Sequence, residues 1–355
     1  MNDLSNQTED FSDIRDAVRS LCQGYPGEYW REKDRKREYP TEFVQALTDS
    51  GFLAVLIPEI FGGSELGIQE AAAILEEIHK SGCNGAACHA QMYIMGTLLR
   101  HGSEEQKQKY LPGIASGELR LQAFGVTEPG SGTDTTSIRT FAKREGDEYV
   151  VNGQKVWTSR AEHSDLMLLL ARTTPKDEVT KRTDGLSVFL VDLRKSLNHG
   201  VTIRPISTMI NHATTEVFID DLRIPAEQRI GEEGKGFRYI LDGMNAERIL
   251  IGAECIGDSR WFIQKASEYA KDRKVFQRPI GQNQGIQFPI AKAYAQSEAA
   301  DLMVRKAASL FDSGKPCGKE ANMAKLLAAD ASWEAADVCL QTLSLIHISE
   351  PTRQP

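Results

Sequence analysis

Nowhere does the 355-residue chain run to about eighteen consecutive apolar residues, so no membrane-spanning helix is expected. The N-terminus, MNDLSNQTEDFSDIRD, is acidic and lacks an apolar core. It is therefore expected to be neither a secretory signal nor an Arg-rich transit peptide, which points to a cytoplasmic protein. Positive charge is also in short supply. The formal net charge is −8, and a nucleic-acid surface needs a local excess of Lys and Arg to neutralise phosphates. The one basic run, Arg31, Lys33, Arg35, Lys36 and Arg37, is broken by Glu32, Asp34 and Glu38 and reads as a solvated helix face. The 6 cysteines are scattered without a CxxC pair, which suggests reduced, mostly buried thiols. The 7 histidines show no HExxH or similar spacing, so no metal site is expected.

What is present is an ordinary globular composition. A hydrophobic fraction of 41% against 26% charged residues, over this length, allows two or three domains and a sizeable core. The first third reads as helices. Ile68, Ala71, Ala72, Leu75 and Ile78 recur at helical spacing, and Gly82 marks a stop. Ser103 and Gln106 make a capping box for a further helix, with Pro112 and Gly113 expected to end it. Pro58 and the Gly62-Gly63 pair punctuate a loop between helices.

The middle third changes to strand-length runs. Tyr149-Val150-Val151 and Val156-Trp157 flank Asn152-Gly153, a two-strand turn signal. Leu166 to Leu170, Leu186 to Val191 and Val217 to Ile219 follow, which together suggest a small β-barrel or sandwich. From about Gly236 the helical period returns, with Ile240, Met244, Ile251, Cys255 and Phe262 on one seam. A second helix is expected from about Ile286 to Phe311, where Ala291, Ala295, Ala299 and Ala307 would let helices approach closely. The expected class is α+β multidomain: helices over 1–120, a β-domain over 121–235 and a helical bundle over 236–342.

The densest polar cluster is Val126-Thr127-Glu128-Pro129-Gly130-Ser131-Gly132-Thr133-Asp134. Glycines there let backbone N–H groups approach an anion or a flat ring. The spacing is GxGxxT and strands follow it, which argues against a dinucleotide fold. Alone, this loop reads as a structural turn. It is joined by Asn152-Gly153-Gln154-Lys155-Val156-Trp157-Thr158-Ser159. Together the two segments resemble the flavin-binding segments of the acyl-CoA dehydrogenase family, in the right order and at the start of the β-domain. The resemblance continues through an Arg-Lys-x-Phe helix segment at Arg273 to Phe276, and through Gln284-Gly285-Ile286-Gln287-Phe288.

This resemblance implies an N-terminal helical domain, a central β-barrel, a C-terminal four-helix bundle and bound FAD. It places Phe124, Val126, Thr127 and Gly132 along the cofactor, with Trp157 as an aromatic wall and Thr158 and Ser159 at the ring edge. It assigns Arg273, Lys274, Val275, Phe276, Asn283, Gln284 and Gln341 to the pyrophosphate and adenosine, partly across a subunit interface. Thr133 would touch the pantetheine or phosphate part of the substrate. Read singly, Trp157 would be a core aromatic and Arg273 a surface charge.

The implied chemistry is α,β-dehydrogenation of an acyl-CoA thioester. A carboxylate takes the α-proton while the β-hydrogen leaves as hydride to the flavin. Enclosure should raise the pKa of that carboxylate. In this family the base stands either in a Glu-Gly-Thr segment near the C-terminus or on the first long bundle helix, just before an arginine. Here that helix reads Met244-Asn245-Ala246-Glu247-Arg248. Glu247 is the expected base, with Asn245 and Arg248 as substrate-segment residues. An electron-transfer flavoprotein is the expected acceptor and a homodimer or homotetramer the expected assembly. Two alternatives stand beside this reading: an oxygen-reactive oxidase or monooxygenase of the same fold, and an inactive acyl-CoA-binding remnant.

Beyond Gln341-Thr342 the family would continue into a Gly-Gly turn, another helix and the Glu-Gly-Thr region. Leu343 to Arg353 is instead similar to the translation of a transposase adapter used in DNA sequencing libraries. Residues 343–355 are therefore expected to be non-native, leaving the bundle incomplete.

Overall fold

A computed structural model describes residues 11–344, and the expected order of helices, strands and helices is present. The helices of the first third are α1 (Ser12–Cys22), α2 (Gly27–Lys36), α3 (Thr41–Asp49), α4 (Ile68–Lys80), α5 (Ala86–His101) and α6 (Glu104–Ser116). The β-domain comprises β1 (Leu121–Gly125), β2 (Phe141–Glu145), β3 (Glu148–Ser159), β4 (Leu166–Arg172) and β5 (Leu186–Asp192). After a single turn, α7 (Leu193–Ser196), come β6 (Val201–Pro205), β7 (Thr214–Pro225) and β8 (Arg229–Ile230). Next come α8 (Gly236–Asp272), a small hairpin β9 (Lys274–Val275) and β10 (Arg278–Pro279), α9 (Gln284–Asp312) and α10 (Gly318–Leu343). Residues 345–355, most of the expected non-native tail, lie outside the described residues.

The chain divides into two compact units. The first gathers the chain up to Pro26, Ile68–Asn84 and the chain from Ile251 onward; the second holds Gly27–Gly67 and Gly85–Leu250. In the first unit α4 lies against α8 so closely that a Cβ on Gly257 would come within 2.3 Å of the Glu76 carbonyl oxygen. Only glycine fits there. Charges link these two helices to each other and to α1 and α9. The Arg260 guanidinium binds Glu76 and donates to Glu298 and Asp301, each at 3.0 Å, while Arg15 donates to Glu76 at 2.8 Å.

In the second unit one mixed sheet runs β6-β7-β3-β2-β4-β5-β8, with β1 added parallel to β4. Strand β4 is buried along its whole length because both faces are covered. Leu166, Leu168 and Leu170 join Ile94, Leu98, Leu111 and Ile114 of α5 and α6, whereas Met167, Leu169 and Ala171 join Tyr149, Phe189, Val217 and Leu222 inside the β-domain. Period-two alternation thus sends one row of side chains to each core.

Three expectations need correction. Asn152-Gly153 is no turn, for β3 runs unbroken through it. The glycine is required because a Cβ there would lie 2.4 Å from Thr140 Oγ1. The β2–β3 hairpin turns instead at Gly146, with φ +65° and Glu145 paired to Glu148. Helix α6 does not stop at Pro112 and Gly113; it continues to Ser116 and ends at Gly117, which has φ +80°. Burial of Leu111, Ile114 and Ala115 carries the helix past the proline. The Arg-Lys-x-Phe segment is not helical. Arg273 follows the end of α8, and Phe276 and Gln277 take left-handed backbone angles in the β9–β10 turn.

Candidate active site

The glycine-rich loop is held from beneath by a buried ion pair. Glu128 and Ser131 exchange backbone hydrogen bonds at 3.1 and 3.0 Å, closing the turn over Pro129 and Gly130. The Glu128 carboxylate accepts from the backbone N–H of Arg139 (2.6 Å) and Thr140 (2.9 Å) and from Lys155 Nζ (2.8 Å). Lys155 is 0% exposed and also donates to the Val126 carbonyl at 3.0 Å. Burial pushes its ammonium down to about 8, with the charge of Glu128 opposing. Burial also works against the Glu128 carboxylate, but Lys155 and the N–H donors outweigh it and hold the group below its ordinary range. The Glu and Lys of the two motifs thus shape the loop. Gly132 and Thr133 are left exposed at its tip, with open space where a Gly132 Cβ would stand.

The far end of β3 presents the second segment. Its pairing with β7 shifts register between Lys155 and Thr158, and Trp157 takes φ +61°. A bulge of this kind re-aims a side chain. The Trp157 indole is 60% exposed, an unusual state for so large an apolar ring. Thr158 turns inward, its carbonyl accepting from Thr215 Oγ1 at 2.7 Å, while its own buried Oγ1 has no hydrogen-bond partner among the described residues. Ser159 is half-buried, as are Phe124, Val126 and Thr127 at the end of β1.

Helix α8 brings the expected base to the same unit. A Cβ on Gly243 would meet Thr97 Oγ1 at 3.2 Å and the Tyr93 carbonyl at 3.8 Å, so this face of α8 packs on α5. Glu247, one turn further along, lies on that face. Tyr93 stands edge-on to Phe124 at 5.8 Å and to His89 at 5.2 Å. Burial raises the Tyr93 pKa, the nearby Glu247 carboxylate raises it further, and Arg160 opposes. Phe124, Tyr93, Glu247 and Arg160 therefore share one neighbourhood. Asn245 and Arg248 are half-buried beside it, with Arg248 donating to Asn245 Oδ1 at 3.4 Å and to the Met244 carbonyl at 3.3 Å. Sequence reasoning missed Tyr93, His89 and Arg160. Only Arg160, directly after Ser159, had a local signal.

The remaining expected cofactor residues belong to the other unit. Arg273, Lys274, Val275 and Phe276 are exposed around the β9–β10 hairpin, with Phe276 95% exposed. Asn283 accepts from Arg278 at 2.8 Å and donates to the Ile280 carbonyl at 3.0 Å, which fixes the turn into α9; Gln284 opens that helix and is exposed. Gln341 is exposed near the end of α10.

Models of the acyl-CoA dehydrogenase N-terminal, middle and C-terminal domains match residues 8–118, 123–222 and 234–345. The chain belongs to the acyl-CoA dehydrogenase family. It is 34% identical over 342 residues to the acyl-CoA dehydrogenase fadE12 of Mycobacterium bovis, covering 95% of this chain and 86% of that one. Among solved structures it is similar to the butyryl-CoA dehydrogenase of Megasphaera elsdenii (TM-score 0.89, 28% identity, 97% of this chain and 90% of that one). It is also similar to an FAD complex of PigA (TM-score 0.88, 26% identity, 97% and 90%). Acyl-CoA dehydrogenases are flavin-dependent oxidoreductases, and the residues present fit FAD. An exposed indole beside a buried, unpartnered Thr158 hydroxyl and an open glycine loop offer a flat ring one face, one hydrogen bond and room for backbone approach.

Proposed function

We propose that this acyl-CoA dehydrogenase converts an acyl-CoA thioester to the 2-enoyl-CoA, with Glu247 as the base. The observation that carries the reading is the meeting of Glu247, on α8, with Tyr93 and Phe124 beside the β-domain segment that ends in Trp157, Thr158 and Ser159. Trp157 and Phe124 would hold the isoalloxazine, and Thr158 and Ser159 would hydrogen-bond its edge. Bound FAD would supply the hydride acceptor. Glu247 takes the α-proton and becomes a carboxylic acid, and loss of the β-hydrogen with its electron pair leaves the C2–C3 double bond. Phe124 and Val126, partly buried against the core of this unit, would give the slot an apolar side. Gly132 would lie along the cofactor, Thr133 would meet the substrate's pantetheine or phosphate portion, and Asn245 and Arg248 would flank its acyl segment. Arg273 to Phe276, Asn283, Gln284 and Gln341 would serve the pyrophosphate and adenosine. Anaerobic mixing of the FAD-loaded protein with a panel of acyl-CoAs should bleach the flavin with at least one member; an absence of bleaching across the panel contradicts the reading.

Two partners follow from the same proposal. An electron-transfer flavoprotein is the acceptor, so the reduced protein should persist in air; rapid peroxide formation would contradict this. A second copy of the chain is the other. Leu326, Trp333 and Leu340 repeat every seven residues on α10 and are 59%, 80% and 45% exposed, an apolar stripe suited to a helix from a neighbouring subunit. A single-chain mass in sedimentation would remove it.

A further inference from the structure

The neighbourhood of Glu247 is more polar than a slot for a plain alkyl chain requires. Tyr93 reaches it from α5, with His89, 6% exposed, one turn away on the same helix. Arg160 stands directly after the end of β3, near enough to Tyr93 for its charge to act on the phenol. It is 7% exposed and its backbone sits at φ +59°, an angle that glycine or asparagine would adopt with less strain than an arginine. A buried guanidinium at a strained position points to a function for the side chain. Its backbone N–H donates to the Ala213 carbonyl at 2.7 Å and one guanidinium nitrogen lies 3.5 Å from His212 Nε2, which fixes the residue in place. The Tyr93 ring is held by two edge-on aromatic contacts, yet among the described residues its hydroxyl makes no hydrogen bond.

We infer that Tyr93 and Arg160 determine specificity, selecting an acyl-CoA whose acyl group carries an oxygen acceptor just beyond the two reacting carbons. This rests on Glu247 being the base, because its place fixes where those carbons lie. The Tyr93 hydroxyl donates to a neutral or charged oxygen, and Arg160 adds preference for a carboxylate. A terminal methyl in the same position leaves the phenol hydroxyl desolvated without a partner, the asymmetry that gives polar sites their discrimination.

The test compares butyryl-CoA, 4-hydroxybutyryl-CoA and succinyl-CoA, which end in methyl, hydroxymethyl and carboxylate. Calorimetric binding to the full-length, FAD-loaded Glu247→Gln protein measures recognition without turnover. The two oxygen-bearing thioesters should bind at least about tenfold more tightly than butyryl-CoA. Adding Tyr93→Phe, which keeps the ring and its aromatic contacts, should abolish the preference for 4-hydroxybutyryl-CoA. Adding Arg160→Gln should abolish only the extra preference for succinyl-CoA. Butyryl-CoA binding as tightly as the others, or preferences unchanged by Tyr93→Phe, would overturn the inference. Flavin bleaching in the Glu247→Gln protein would instead remove the base assignment, so the two failures are distinguishable.

Discussion

Replacing Lys155 by Met removes one partner from the ion pair beneath the glycine-rich loop while keeping the side-chain volume close to native. Lys155 is fully enclosed and makes two bonds, to Glu128 at 2.8 Å and to the Val126 carbonyl at 3.0 Å. In the variant Glu128 keeps only its two backbone donors, and the Val126 carbonyl loses its bond to Lys155. Breaking a buried pair from one side costs about 3–5 kcal/mol, much of it from the charge left behind. For a domain of about 150–250 residues, a shift of about 2–4 °C per kcal/mol translates this into a melting point lower by roughly 6–20 °C. The loop from Val126 to Asp134 should loosen with it, so purified protein should carry less FAD per chain. Differential scanning calorimetry and the ratio of flavin to protein absorbance measure the two effects. Converting Glu128 to Gln in the same chain removes the stranded charge and should recover part of the loss. A Lys155→Met protein that melts within about 2 °C of wild type with full flavin content would refute the clamp.

Trp157→Ala should weaken FAD affinity by about tenfold while leaving the melting point of the cofactor-free protein nearly unchanged, since the indole is mostly exposed; equal flavin retention after dialysis would count against the aromatic wall. His79 supplies a pH prediction. Burial opposes its charge, but Glu254 and a 2.9 Å hydrogen bond to Asp258 outweigh this and raise its pKa from 6.5 to about 9. A raised folded-state pKa stabilises fully below 6.5, and that contribution is lost as pH climbs through about 9. The loss should approach roughly 3 kcal/mol in denaturant unfolding of the unit that holds α4 and the C-terminal part of α8, and His79→Gln should flatten the slope.

The local signals that proved legible are those whose physics is local. Helix α4 follows from its apolar period, and the capping box appears as expected, with Gln106 N 3.2 Å from Ser103 Oγ and Ser103 N 3.0 Å from Gln106 Oε1. On α2, Arg31, Arg35 and Lys36 are exposed and paired to Glu28 and Glu32 as a solvated face requires, whereas Lys33 is partly buried. What misled was glycine and proline whose reasons are tertiary. Gly153 answers to Thr140 across the sheet, and Pro112 is tolerated because its neighbours are buried. Within the proposed site, Glu247 and the β3 segment come from motifs whose residues sit side by side in the chain. Tyr93 and Arg160 could not, because their juxtaposition requires α5, the end of β3 and α8 to be packed together first.

The central claim is that Glu247 removes the substrate's α-proton, and anaerobic stopped-flow reduction of the flavin tests it most directly. With an acyl-CoA that bleaches the wild-type protein, Glu247→Gln should bind FAD normally and bleach at least about 1,000-fold more slowly, about 4 kcal/mol of lost transition-state stabilisation. Bleaching at the wild-type rate in that variant would contradict the account.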